Sequence, residues 1–233
     1  MMVENGVDIW YFNKEKIGPV RDWMSFLSED ERSRAARFHF SHDQEAFALY
    51  HACKRMILSQ YLSVSPHSVP ILIGDHGKPF LQDNPLFFNL SHTKNIAVLA
   101  VTQWHPIGVD IEFIQEKPEI LSIARRFFHE KEVDELLSCV TLDDQTNYFY
   151  RLWTAKEALL KADGKGISAG LDTFYVCPNP SVDGSIVHSY LPEINLTKLD
   201  CPDHYSASLA IMGEKKVIEY RDIEQILADF FSC

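Results

Sequence analysis

No CxxC pair, no GxxxxGKS/T phosphate loop, no membrane-length apolar run and no surplus of basic residues occur in the 233-residue chain. The five cysteines, Cys53, Cys139, Cys177, Cys201 and Cys233, are odd in number and scattered, the pattern of reduced structural thiols and not of a disulfide framework or zinc site. Without the phosphate loop, P-loop nucleotide chemistry has no support. With no stretch near bilayer length, and residues 1–5 lacking the basic and apolar regions of a leader peptide, the cytoplasm is the expected location and a membrane is not an expected partner. Lysine and arginine number 22 against 33 aspartates and glutamates, a net charge of −11. That balance argues against a broad nucleic-acid surface and leaves room for a local basic pocket that takes a phosphorylated small molecule. What is present, 46% hydrophobic and 24% charged residues, suits a soluble globular protein of one domain or two small ones.

Residues 7–12 alternate and are rich in β-formers, which predicts an opening strand. Ser28 with Glu31 three residues on predicts a helix start, followed by Arg32, Arg34 and Arg37. Phe47, Tyr50, Met56, Ile57 and Tyr61 recur at helical spacing over 46–62, ahead of the stop Ser63-Val64-Ser65-Pro66. A short strand at 71–73, the turn from Gly74 to Pro79, and strands at 86–92 and 95–102 come next. Helices are expected at 118–128, 130–137 and about 146–163, the last ended by Gly164-Lys165-Gly166, and strands near 174–176, 186–187 and 205–212.

The chain echoes itself. Phe47 to Arg55 resembles Phe149 to Glu157, and the strand Ala97 to Val101 resembles Ala207 to Ile211, in the same order. A period near 100 residues is too long for a solenoid unit, so the expected fold is α+β, with two similar halves, 1–105 and 106–233, and a ligand cleft between them.

Chemistry concentrates in the second half. In Ile107-Gly108-Val109-Asp110-Ile111-Glu112, a strand projects Asp110 and Glu112 from one face about 6.6 Å apart and Val109 and Ile111 from the other. Two acids so placed repel and lose solvation, which a hard divalent cation relieves; a solvated strand edge is the competing reading. In the later helix, Glu157 and Lys161 share a face at i and i+4, either as an ordinary surface pair or as the third carboxylate and a charge for phosphate.

Together Ile107-Gly-Val-Asp-Ile-Glu112 and Trp153-Thr-Ala-Lys-Glu157-Ala-Leu-Leu-Lys161 resemble the paired signature of the 4′-phosphopantetheinyl transferases. Gly77-Lys78-Pro79 and Asn89-Leu-Ser-His92 resemble two further motifs of the surfactin-type (Sfp-like) branch. The resemblance implies a monomer of two pseudo-twofold halves that moves the phosphopantetheine arm of coenzyme A to a serine of an apo carrier protein and releases 3′,5′-ADP. It implies magnesium, with manganese as a substitute, on Asp110, Glu112 and Glu157, and catalysis by Glu157 and Lys161. Coenzyme A would be met by Arg34, Gly77, Lys78, Pro79, Ser91, His92, Lys156 and Lys161. The chain departs from the branch at Glu31 and Ala46, where basic residues for the 3′-phosphate are usual, and Arg37, His42, Lys54 or Arg55 are the candidates to compensate. Ile120, Ile123 and Phe127 beside Arg125 and Arg126 form a candidate carrier-docking stripe, or else core. The alternative function is a catalytically lapsed module that binds coenzyme A or a carrier protein, against which the complete set of acids and lysine speaks.

Overall fold

The computed structural model describes residues 6–17, 22–166, 170–179, 181 and 184–231; residues 1–5 and Cys233, interpreted above from sequence, lie outside them. The chain runs β1 (Gly6–Asn13), α1 (Lys14–Ile17), α2 (Glu29–Ala35), α3 (Ser41–Leu62), β2 (Ile71–Ile73), β3 (Pro79–Leu81), β4 (Phe87–Thr93), β5 (Ile96–Thr102) and β6 (Ile107–Phe113). It continues α4 (Ile120–Phe127), α5 (Glu130–Ser138), α6 (Leu142–Asp163), β7 (Val176–Cys177), β8 (Ser185–His188), β9 (Ile194–Lys198), β10 (Tyr205–Met212), β11 (Val217–Asp222) and α7 (Ile223–Phe231).

Period-two burial sets the layers. Trp10, Phe12, Leu99 and Val101 turn one face of the first sheet toward α3, where Ala52 and Met56 meet them. Val7, Ile9, Val98 and Ala100 turn the opposite face toward Val109, Ile111, Leu209 and Ile211 of the second sheet, whose own far face packs Leu196 and Ala210 under Ala155 and Leu159 of α6. Helix, sheet, sheet and helix thus stack as four layers, each strand face burying its apolar set.

The two halves have matching connectivity. The first sheet contains the order β1-β5-β4 and the second β6-β10-β9, with the first two strands antiparallel in each and a 22-residue helix after the first strand in both. The echoed segments occupy equivalent elements, α3 with α6 and β5 with β10. The end of the chain does not respect the 105/106 division. β11 pairs in parallel with β1, and Ile223, Ile226 and Leu227 of α7 join the core under α3. Asp8, nearly buried in mid-strand, secures this return: it takes the Arg221 guanidinium at 2.9 Å and the Tyr61 hydroxyl at 2.7 Å.

Both long helices begin earlier than their apolar periods indicate. α3 starts at Ser41 and α6 at Leu142, each with a polar first turn. Thr141 caps α6 by accepting from the Asp144 amide at 3.0 Å.

Candidate active site

The acid strand sits where it does because of Gly108. A Cβ there would lie 2.2 Å from the Ala158 carbonyl oxygen and 2.3 Å from the Ala162 amide nitrogen, so only glycine lets β6 lie against the backbone of α6. That close approach brings the Asp110 face of the strand under Glu157 and Lys161. The register adds room: β10 places Ser208 opposite Asp110 and Ser206 opposite Glu112. These hydroxyls meet Thr154 of α6 at 3.2 Å each.

β4 reaches the same strand from the other half. Asn89, Ser91 and Thr93 share a face at period two. Asn89 Oδ1 accepts from the Val109 amide at 2.8 Å, Ser91 donates to Asp110 Oδ1 at 2.7 Å, and Thr93 donates to Glu112 at 3.2 Å. The Lys161 ammonium closes the group, donating to Asp110 Oδ1 at 2.7 Å, to Ser91 Oγ at 3.1 Å and to the Val109 carbonyl at 3.2 Å.

Two carboxylate oxygens are left over. Asp110 Oδ2 and Glu157 Oε1 are buried without a hydrogen-bond partner, a costly state for charged oxygens. Burial, and then the charges of Asp110 and Glu112, raise the Glu157 carboxyl from its ordinary 4.5 to about 7. Burial, and then Asp110, raise Glu112. Repulsion among three acids and two orphaned oxygens fits a hard cation with oxygen ligands. Among the described residues no group of three or more histidine, cysteine, aspartate or glutamate side chains is placed to hold a metal ion by itself.

The remaining predicted residues divide. His92 stacks on Tyr50 with centroids 5.2 Å apart and keeps its open side to solvent; packing, and then the Lys161 charge, hold its imidazole below the ordinary range. Arg34 is exposed, lying over the Phe47 ring at 5.4 Å. Gly77 adopts φ +81°, as the turn requires. The Lys78 ammonium donates to the Ile107 carbonyl at 3.0 Å and the Ala162 carbonyl at 3.2 Å, tying the β2–β3 hairpin to β6 and to the end of α6. Burial lowers it to about 8. Pro79 begins β3 beside it.

Lys156 overturns its expectation. It is 0% exposed, and its ammonium is engaged by Glu132 at 2.8 Å, the Leu171 carbonyl at 2.7 Å and the Phe174 carbonyl at 2.6 Å. Three donors meet three acceptors, leaving none for coenzyme A. Lys54 and Arg55 are likewise unavailable to compensate for Glu31, because they are buried against Glu31 itself. The docking stripe resolves partly into core: Ile120 is buried, and Ile123 and Phe127 pack on the core of the second half, while Arg125 and Arg126 stay exposed.

A cavity of about 650 Å³ opens away from the acids, between the ends of β1 and β10 and α7, where Tyr11, Tyr205 and Leu227 line it. It contains none of the predicted site residues. Sequence reasoning missed Gly108, Asn89 and Thr93. A lone glycine in an apolar strand signals close backbone approach, and the alternation of polar residues at 89, 91 and 93 was readable too.

A family model described as the 4'-phosphopantetheinyl transferase superfamily matches residues 106–210, and one described as 4'-phosphopantetheinyl transferase, N-terminal, matches residues 19–104. The 4'-phosphopantetheinyl transferase HetI of Nostoc sp. is 35% identical over 83% of this chain and 82% of its own length. The 4'-phosphopantetheinyl transferase Sfp of Bacillus subtilis is 37% identical over 66% of this chain and 67% of its own. Among solved structures, the holo-acyl-carrier-protein synthase of Thermotoga maritima overlaps 47% of this chain and 64% of its own, at 16% identity and a TM-score of 0.37. Matched in both halves, and similar to HetI over most of both chains, this chain belongs to the 4'-phosphopantetheinyl transferase superfamily.

Proposed function

We propose that this transferase uses Asp110, Glu112 and Glu157 to hold magnesium, or manganese in its place, at the diphosphate of coenzyme A. The activity is that of the family: a carrier-protein serine receives the phosphopantetheine arm. The serine Oγ forms a bond to the phosphorus of the arm, the bond from that phosphorus to the leaving phosphate breaks, and 3′,5′-ADP departs. The cation, when bound, supplies charge neutralisation for the diphosphate oxygens. Glu157, the acid of the group that lies on α6, is the proposed acceptor of the serine proton. Lys161, donating within the Asp110 and Ser91 group, has a second task in neutralising the leaving phosphate, with His92 and Ser91 beside it. Arg34 serves the 3′-phosphate, and the turn around Gly77 and Pro79 serves adenine through its backbone, since the Lys78 ammonium is engaged by carbonyls.

The observation that carries this reading is the pair of orphaned oxygens, Asp110 Oδ2 and Glu157 Oε1, within a group that also holds a lysine. Two unsatisfied buried carboxylate oxygens cost stability, and a bound cation would offset that cost; against a lapsed binding module stands the complete set of three acids and the lysine. Residues from both halves enter the site, so one chain suffices and a monomer is the working form. Among the described residues no helix is long and apolar enough to cross a membrane, and the four described cysteines are free; the reducing cytoplasm is the proposed location.

Mass spectrometry of an apo carrier protein incubated with coenzyme A and magnesium tests the reading. A phosphopantetheine mass gain is expected with the wild-type protein and is lost with Asp110→Ala, which stays folded by circular dichroism. A full gain with Asp110→Ala would remove the metal assignment.

A further inference from the structure

The buried lysine of the catalytic helix has a counterpart. In the first half, Lys54 of α3 donates to Glu31 at 2.8 Å, and Glu31 is the third residue of α2, reaching back at 3.3 Å to the amide of the cap residue Ser28. In the second half, Lys156 of α6 pairs with Glu132 at 2.8 Å, and Glu132 is the third residue of α5, reaching back at 2.9 Å to the amide of the cap residue His129. Both lysines are at most 2% exposed. The caps and glutamates repeat at a spacing of 101 residues and the lysines at 102. The same joint occurs twice: a glutamate that caps a short helix also receives the lysine of the long helix packed on it.

The second joint gathers more chain than the first. Beyond Glu132, Lys156 holds the Leu171 and Phe174 carbonyls and lies 4.1 Å from the Phe174 ring centroid, while Glu132 also accepts from the Val176 amide at 2.7 Å. Four segments, α5, α6, residues 171–174 and the start of β7, therefore meet at one ion pair. On α6 the next residue is Glu157, about 100° further round the helix. Any roll of α6 about its axis moves Glu157 relative to Asp110 and Glu112, and Lys156 opposes that roll with three directional bonds.

We infer that Lys156 is a positioning residue, which with Glu132 fixes the rotation of α6 that presents Glu157 to the acid strand, and that it makes no contact with coenzyme A. This rests on the transferase function proposed above. A lysine on substrate phosphate and a lysine that orients another residue differ in kinetic signature. Loss of the first raises the KM for coenzyme A; loss of the second lowers kcat, and a displacement of about 1 Å at the reacting group is enough for roughly a hundredfold.

The test uses Lys156→Met, Glu132→Gln and the double variant Lys156→Met/Glu132→Met, with steady-state transfer to a carrier protein and calorimetric titration of coenzyme A. Expected are a kcat lowered about a hundredfold in each, a KM and a calorimetric Kd for coenzyme A within about twofold of wild type, and a double variant no worse than the singles. The double variant guards against unfolding, because it replaces both charges with apolar side chains instead of stranding one. A tenfold rise in KM or Kd at unchanged kcat would overturn the inference, as would a lowered melting temperature with both kinetic constants at wild-type values. Wild-type protein that transfers nothing would remove the proposed function and this inference together, whereas normal wild-type transfer with an unchanged double variant would remove this inference alone.

Discussion

α3 and α6 are the same helix built twice and finished differently. Each spans 22 residues, carries a buried lysine and packs it on a capping glutamate. The position after that lysine separates them. In α3 it is Arg55, whose guanidinium bonds Glu31 and donates to the Pro66 carbonyl at 3.0 Å and the Val69 carbonyl at 3.1 Å. In α6 it is Glu157, whose Oε1 has no partner at all. One half has closed its polar group and holds its fold with it. The other has left the equivalent position open, with a like charge facing like charges. A scaffold that can satisfy this position, and does so once, shows that the opening in the second half is not a defect of the architecture.

Exchanging each position for an apolar side chain sharpens that contrast most. Arg55→Met strands part of Glu31 and three carbonyls, and is expected to destabilise the fold by about 3 kcal/mol, the low end for a broken buried ion pair. Glu157→Met removes an unsatisfied carboxylate, and is expected to leave stability unchanged or raised at pH 8 while transfer falls about a thousandfold or more. Denaturant unfolding of both variants, with the transfer assay alongside, reads this directly. Equal destabilisation by the two would dissolve the distinction.

The contrast also has a pH signature of nearly the same size. Glu157 has a folded-state value raised from 4.5 to about 7, so the folded protein holds that proton more tightly than the unfolded chain. Its contribution to stability is full below about pH 4.5 and is lost as pH rises through about 7, an upper limit near 3 kcal/mol. In metal-free protein, unfolding free energy is therefore expected to fall across that window, and Glu157→Gln should flatten the slope. Glu31 behaves oppositely. Hydrogen bonds and charges from His51 and Lys54 outweigh its burial and hold it far below the ordinary carboxylate range, so its contribution is kept at neutral pH and lost only in acid. A wild-type slope unaltered in Glu157→Gln would assign the effect to other groups.

The smallest effect concerns the strand that bridges the halves. Thr93→Val keeps the shape and removes the donor to Glu112, so the magnesium concentration for half-maximal transfer should rise about tenfold, with Thr93→Ser close to wild type. Manganese titration followed by electron paramagnetic resonance checks the same change without turnover. Identical titrations for the valine variant and wild type would separate β4 from the proposed metal site.

Much of this was readable from residue order. The acid strand, the helix of Glu157 and Lys161 and the echo between halves follow from alternation, helical spacing and repeated residue types, all local signals. What escaped depends on contacts between distant segments. Nothing in Val217 to Asp222 announces a parallel partner at the opposite end of the chain, and α7 is too short for its apolar face to be told from a strand's without knowing what it covers. Lys156 lies in a motif with charged neighbours, so only the burial of its ammonium and the nearby Leu171 and Phe174 carbonyls distinguish a joint from a ligand contact. The echo between residues 47–55 and 149–157 suggested two halves, but nothing in the residue order showed the return of β11 to β1 across the 105/106 division.

That return bears on how the molecule is made. β1 leaves the ribosome before every other described strand, yet one of its two edges is covered only by Val217–Asp222, and the buried Asp8 gains Arg221 only then. While the residues between those two strands are being made, the first sheet carries an open hydrogen-bonding edge and an incompletely neutralised internal charge. The half that contributes fewer of the proposed catalytic groups is thus the one that cannot finish folding until the half carrying them has been translated.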